Sequence, residues 1–294
     1  MVGLFRQLFA LSVYHISTQS WLSHYSGDAH PSVLFTGVKF RLTILLQEVF
    51  SNSPDRLHTT KFQRWQPDGR ANLFSSIEYS NVSPETIRLG LIPKVDSQGL
   101  AWLKRAAANK KILGQSVLRE SAHVAFAHRI VAHYVKAFNF VPFFRSERDG
   151  EKRSEDYKPF PLASRKQLSA FSAVLNSSQF YLWFVAYSDV YHCGRELILD
   201  YPCDLEAIEG QIDLIRAADA LMDAYRASAV RRAIPYKKTG LVEYDEFYPR
   251  TVKTHLDSVD IELAKAVGVP ADLLDYLVNY DVKYRMSGTD DDEE

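Results

Sequence analysis

Cysteine is scarce in this chain of 294 residues: Cys193 and Cys203 are the only two. With no Cys-x-x-Cys pair, a disulfide framework and the usual zinc spacings are excluded, and a reducing, cytoplasmic setting is expected. Long uninterrupted apolar runs are missing too. The opening VGLFRQLFALSVYHI is broken by Arg6, Gln7 and His15 and is followed by no small-residue cleavage site, so neither a signal peptide nor a membrane span is expected. There is no internal repeat and no low-complexity tract apart from the acidic run 290–294. A strong net charge is lacking as well: the total is −1, and setting aside those five acidic residues leaves +4. Any affinity for a polyanion must therefore come from local clusters rather than from the field of the whole molecule. Hydrophobic content of 46% and charged content of 24% are ordinary for a globular chain, and the length suffices for one large or two ordinary domains.

Basic clusters are present. Arg56, His58, Lys61, Arg64 and Arg70 interleave with Phe62 and Trp65, and further groups lie at 104–111, at 145–166, and at Arg231, Arg232, Lys237 and Lys238. Such clusters can neutralise phosphates, although a solvated face of mixed charge has the same composition. The densest segment is 175–202, LNSSQFYLWFVAYSDVYHCGRELILDYP. It holds an Asn176-Ser177-Ser178 turn, an aromatic run (Phe180, Tyr181, Trp183, Phe184, Tyr187) and a polar group (Ser188, Asp189, His192, Arg195). Rings beside cationic and hydrogen-bonding groups suit nucleic acid, since bases stack on rings while Arg and His reach phosphates or base edges. An aromatic run is more often core.

Other chemistries fit poorly. His192 with Cys193 and Cys203 lacks a fourth ligand for zinc. His123, His128 and His133 recur every five residues, which alternates faces on a strand and rotates away on a helix. Asp257, Asp260, Glu262 and Lys265 invite a metal-dependent nuclease reading, but the segment has helical periodicity whose outer face accounts for them. Asn52-Ser53-Pro54-Asp55 reads as a turn.

Periodicity predicts a short helix over 4–13, a strand over 38–46 buried on both faces of an α/β sheet, and a helix over 100–111. One or two strands are expected over 122–144, then a charged loop over 146–153. A helix over 164–175 is capped by Ser164. The strongest helical signal is 204–232, with Ile208, Ile212, Ile215, Ala218 and Met222 as its apolar stripe and Pro235 as its stop. Two C-terminal helices, 254–267 and 270–279, are separated by Gly268, with Pro270 suited to a first helical position.

Four segments, in order, resemble adenine-specific DNA methyltransferases of restriction-modification systems, the group that includes the fused type IIG enzymes. Residues 24–46 (HYSGDAHPSVLFTGVKFRLTILL) are similar to the close of that family's methyltransferase domain. Residues 128–144 lead through a hydrophobic, aromatic stretch to Pro142-Phe143-Phe144, and 175–202 resemble the family's Leu-Asn-Ser-Ser, aromatic, Ser-Asp-x-x-His segment of the target-recognition region. Residues 243–286 resemble its ending, Phe-x-Pro-Arg followed by Asn-Tyr-Asp-x-Lys-Tyr-Arg-Met. The family often has Gly where Val190 stands and Lys at or near Thr239. The family's Gly-rich cofactor turn and its Asn/Asp-Pro-Pro-Tyr motif are absent from the sequence; without them, neither close approach to S-adenosylmethionine nor capture of the adenine amino group is expected.

The resemblance implies an α/β fold: the edge of a methyltransferase-like sheet over 1–55, an α+β target-recognition domain over 56–235, a helical segment over 236–289 and an acidic tail over 290–294. It implies a chain that recognises double-stranded DNA and does not methylate alone. S-adenosylmethionine would sit in a separate catalytic chain, and no cofactor, metal, catalytic residue or membrane contact is expected here. Candidate DNA-contacting residues are Lys61, Arg64, His192, Arg195 and Lys237, with Tyr181 and Trp183 as stacking platform or core. The alternative is a divergent or truncated methyltransferase that retains activity.

Overall fold

The computed structural model describes residues 18–26, 34–35, 41–49, 57–65, 67–131 and 133–286. The chain is mixed α and β and divides into two compact units, one of residues 1–108 with 185–189 and the other of residues 109–184 with 190–294. The expected helix over 4–13, the loop at 51–55 that was to end the first domain, and the acidic tail lie outside the described residues.

The first unit is built on a four-stranded sheet in the order β2-β1-β3-β4. Strand β1 (Thr18–Tyr25) runs antiparallel to β2 (Leu42–Val49) and parallel to β3 (Leu57–Gln63), which pairs antiparallel with β4 (Ser80–Asn81). Period-two alternation sends Leu22 and Leu57 to a cluster with Val82 and Ile92, and Tyr25 to another with Leu34, Trp65 and Leu73. Leu45 packs on the first cluster, while Leu42 and Ile44 pack on the second. The strand expected at 38–46 is found at Leu42–Val49 as an antiparallel edge strand with Thr43 and Leu46 exposed, not buried on both faces, and residues 38–40 lie outside the described residues; a continuous apolar run does not distinguish pairing direction. Helix α1 (Ser97–Ala107) starts where Asp96 accepts from the Gly99 amide at 3.0 Å and buries Leu100, Trp102 and Leu103 on one stripe. Residues 185–189 join this unit through the Lys94 Nζ donation to Ala186 O (2.9 Å) and that of Tyr187 OH to Thr86 O (2.5 Å).

The second unit holds two antiparallel sheets. One has the order β6-β5-β9, formed by Ala137–Phe138, His123–His128 and Tyr157–Leu162; the other is β10-β11-β7-β8, formed by Val230–Tyr236, Gly240–Glu246, Phe144–Ser146 and Gly150–Glu151. Helix α2 (Arg165–Leu175) begins as expected, with Ser164 Oγ accepting from the Gln167 amide at 3.1 Å. Helices α3 (Ser178–Tyr187), α4 (Arg195–Leu199) and α5 (Leu205–Ile208) follow. Helices α6 (Ile212–Ser228), α7 (Lys253–Val267), α8 (Ala271–Asn279) and α9 (Val282–Arg285) complete the unit. Phe138, Tyr225 and Phe247 form the aromatic centre, with ring centroids 4.5–5.9 Å apart.

The single helix expected over 204–232 is interrupted. The chain breaks between α5 and α6 around Gly210, and residues 230–236 form a strand. Ile212, placed on the expected stripe, is 68% exposed, whereas Leu214, Ala218, Leu221, Met222 and Tyr225 form the buried face. The charged loop expected over 146–153 is present as the turn 147–149 and the irregular residues 152–153, with Ser146, Gly150 and Glu151 taken up in the short β7–β8 hairpin. The expected domain boundary after 235 falls inside the β10–β11 hairpin, whose ladder runs from Val230↔Glu246 to Tyr236↔Gly240. The two C-terminal helices are as expected, separated by Gly268 in the left-handed region at φ 69° with Pro270 as the N-cap of α8.

Candidate functional site

Each sequence-selected residue has a definite place. Lys61 is the one exposed position of β3, and the Arg64 guanidinium lies 5.2 Å from the Phe62 ring centroid, both in the first unit. Tyr181 and Trp183 are core, at 2% and 1% exposure, and the platform alternative for them is withdrawn. Tyr181 stacks on Tyr134 at 5.6 Å, and the Trp183 indole donates to Leu197 O at 3.0 Å. The reason is that α3 is apolar all round, so no face remains for solvent. His192 is exposed beside the Tyr191 ring. Arg195 is exposed, donates to Pro159 O at 2.8 Å and lies 4.6 Å over Phe160. Lys237 is exposed in the turn between β10 and β11.

Asn176, Ser177 and Ser178 orient buried structure. Asn176 Nδ2 donates to Ala137 O (2.7 Å) and Ser172 O (2.8 Å). Ser178 N donates to Asp260 Oδ1 (2.7 Å), its hydroxyl donates to Asp260 Oδ2 (2.5 Å), and the same hydroxyl accepts from Arg285 Nη1 (3.0 Å). Arg285 also donates to Val278 O and lies 4.9 Å from the Tyr181 ring centroid. Asp260 and Arg285 are each 1% exposed, which corrects the assignment of Asp260 to an outer helical face. Burial pushes the Asp260 carboxyl up to about 6 against the lowering effect of the Ser178 and Arg285 interactions. Asp257 pairs with Lys253, and Glu262 with Lys265 at 2.6 Å, so the acidic cluster divides among separate partners. Cys193 and Cys203 are buried and free; burial raises the Cys203 thiol to about 12 and that of Cys193 further. Among the described residues no group of three His, Cys, Asp or Glu is placed to hold a metal.

The basic clusters separate on inspection of their partners. Lys104 pairs with Glu85 at 2.9 Å, and Lys111 with Asp204 and Glu206 at 3.0 and 2.9 Å. On the hairpin stem Arg231 pairs with Asp245 at 2.6 Å while stacking 3.6 Å from the Phe143 centroid, and Arg232 pairs with Glu246 at 2.8 Å. Lys237 and Lys238, at the exposed tip, make no ion pair with any described residue. The stem is therefore close to neutral and the tip is positive. Gly240, at φ 70°, closes the turn, and Glu147 Oε2 accepts from the Leu241 amide at 3.0 Å beneath it.

Behind this ribbon lies a cavity of about 440 Å³ lined by residues from both sheets of the second unit, including His128, Lys136, Phe144, Tyr157, Tyr236 and Tyr244. His128 N donates to Lys136 O at 2.9 Å, which sets the two residues opposite each other at the end of the β5–β6 ladder. Lys136 is half-buried, its ammonium donates to Phe247 O at 3.2 Å, and desolvation lowers it to about 8. The His128 ring lies 4.7 Å from Tyr157, burial lowers it to about 4, and its Nδ1 makes no well-formed hydrogen bond among the described residues. Sequence reasoning set His128 aside and did not select Lys136; Lys136 carries no motif, and only strand pairing shows the two together.

Val190 adopts φ 61°, a left-handed backbone that strains a β-branched side chain and suits glycine. No family model matches the chain, and no curated protein matches it.

Proposed function

We propose that this chain is a DNA sequence-recognition module of the kind found in adenine-specific DNA methyltransferases, acting with a catalytic chain that supplies the S-adenosylmethionine site. The observation that carries the reading is the β10–β11 hairpin at the edge of its four-stranded sheet, whose stem charges are paired with one another or, for Glu243, with Arg145 of β7, and whose tip offers exposed Lys237 and Lys238. A hairpin tip at a sheet edge can approach a DNA groove, and two lysines there with no ion pair among the described residues would displace condensed counterions from phosphates. Two further observations support the kinship. Val190 holds a glycine-like backbone at the position where the resembled family carries Gly. The segments 175–202 and 243–286, which resemble the family separately, join through Ser178, Asp260 and Arg285 in one buried network.

The reaction itself is not assigned to this chain, because its sequence has neither the Gly-rich turn nor the Asn/Asp-Pro-Pro-Tyr motif. The chain's own task is to bind, orient and discriminate duplex DNA through exposed side chains, with Arg195 and His192 as further contacts. Gel-shift titration over a salt series tests this. The Lys237→Ala/Lys238→Ala double variant should retain its fold, weaken duplex binding on all sequences and flatten the slope of log affinity against log salt by about two. Absence of duplex binding at low salt overturns the proposal. Saturable S-adenosylmethionine binding in calorimetry would replace it with the reading of a self-sufficient enzyme.

A further inference from the structure

From the cavity behind the ribbon we infer a binding pocket for a planar heteroaromatic base, a nucleobase or nucleoside, in which Lys136 and His128 read the polar edge and tyrosines cover the faces. The inference stands on the cavity and does not require that the chain be a methyltransferase module. Its volume of about 440 Å³ falls within the range of roughly 300–1,000 Å³ typical of small-molecule sites. Two observations point to a missing partner. Lys136, half-buried in the wall, can donate three hydrogen bonds and makes one within the described residues, to Phe247 O. His128 Nδ1 is buried and makes no well-formed hydrogen bond among the described residues, the Ile130 backbone contributing only a weak polar interaction to the ring. Unmade hydrogen bonds at buried polar atoms are costly, and a ligand that supplies them gains what the free protein forgoes.

The identity of the ligand follows from charge and shape. The carboxylates along the wall are already matched: Asp149 by Arg148 and Lys152 at 2.8 and 2.7 Å, Asp156 by Arg129 at 2.6 Å, Asp245 by Arg231 and Glu246 by Arg232. Arg148 and Lys152 share the single Asp149 carboxylate, so six cations meet four carboxylates; Lys136 makes no ion pair among the described residues and is placed to donate to a polarised carbonyl or ring nitrogen. His128 is held neutral by burial, so Nδ1 donates or accepts according to tautomer. An ammonium donor beside an adaptable imidazole is complementary to an edge that sets an acceptor next to an N–H or amino group, as every nucleobase does. Tyr157, Tyr236, Tyr244 and Phe144 supply ring surface for the faces of such a ligand.

The same heterocycle could arrive as a free nucleoside or as a base extruded from DNA, and two measurements on the full chain separate these sources. In the first, adenosine, guanosine, cytidine and thymidine are titrated calorimetrically, with inorganic phosphate as competitor. In the second, a duplex bearing 2-aminopurine at a mismatch is followed by fluorescence. At least one nucleoside should saturate the site. Lys136→Met should weaken that binding by about tenfold or more, the worth of one charge-assisted hydrogen bond. Tyr236→Ala, a change at an exposed rim position that leaves the core intact, should weaken it by roughly fivefold or more through lost stacking. A fluorescence change lost in Lys136→Met identifies an extruded base; nucleoside binding without it identifies a free ligand. No saturable signal in either arm, wild-type binding by both variants, or displacement by phosphate overturns the assignment. A chain that still shifts duplex DNA in gels while failing both arms loses the pocket alone and keeps the recognition reading.

Discussion

Ser178→Ala removes one oxygen from the centre of the second unit, and its cost can be worked from the hydrogen bonds that oxygen makes. The hydroxyl donates to Asp260 Oδ2 at 2.5 Å and accepts from Arg285 Nη1 at 3.0 Å, and both partners are buried. The amide of residue 178 keeps its bond to Asp260 Oδ1 at 2.7 Å, since a side-chain change leaves it in place. Each lost bond to a charged group is worth about 1.5–3 kcal/mol, so the simple sum is roughly 3–6 kcal/mol. Asp260 can escape part of this by taking up a proton, because burial has already raised its carboxyl to about 6. The lower end, about 3 kcal/mol, is therefore expected. At about 2–4 °C per kcal/mol for a body of 150–250 residues, calorimetric or circular-dichroism melting should fall by roughly 6–12 °C. Ser172→Ala is the internal control. It deletes the same atom from a fully buried site in α2 where that atom has no partner among the described residues, and it should be neutral or slightly stabilising. A Ser178→Ala melting point within about 2 °C of the parent, or no lower than that of Ser172→Ala, would refute the claim that this hydroxyl holds α3 to α7 and α9.

Two buried groups give opposite pH slopes. Folded Asp260 keeps its proton up to about pH 6 while an unfolded aspartate releases it near about 3.9, so acidification from pH 7 to 5 should add about 1.3 kcal/mol of stability, a slope that Asp260→Asn abolishes in pH-dependent melts. Folded His128 stays neutral down to about pH 4 while an unfolded histidine protonates near about 6.5, so the same acidification should remove about 2 kcal/mol, and His128→Gln should lose that dependence. Gly240→Ala should cost about 1–3 kcal/mol, since φ is 70° and a Cβ would meet Glu147 Oε2; a melting point matching the parent would contradict the turn geometry. Val190→Gly should fall within about 1 kcal/mol of the parent, relief of strain offsetting lost burial, and denaturant unfolding reads the balance.

Legibility from sequence followed how locally each feature is determined. Helix α2 was readable because Ser164 and the apolar spacing at 168, 171 and 175 act within a few residues, and the C-terminal pair because Gly268 and Pro270 mark the stop and start. The β10 strand was not, because Arg231, Arg232 and Ala233 are good helix formers and their extended state is imposed by pairing with β11. A signal was nevertheless present: Lys238-Thr239-Gly240 between two segments of β-branched and aromatic residues is a hairpin turn, and reading it would have ended the long helix earlier.

Asp260 is the sharper case. It occupies the same stripe as Leu256, Val259 and Leu263, so the spacing that identified α7 also placed a carboxylate in its buried face. The usual inference that an acidic residue on an amphipathic helix faces solvent fails where position and residue type disagree, and position prevailed because α3 presents a helix-start amide and hydroxyl directly opposite. The same logic bears on Lys136. A charged residue beside a strand in the aromatic centre is a poor choice for stability, and replacing it with Met should stabilise the fold by about 1–3 kcal/mol at neutral pH, given an ammonium lowered to about 8. A core that keeps such a group sacrifices stability for chemistry at that point. If Lys136→Met instead melts lower than the parent, the bond to Phe247 O outweighs the desolvation of the amine, and Lys136 is explained by the architecture alone.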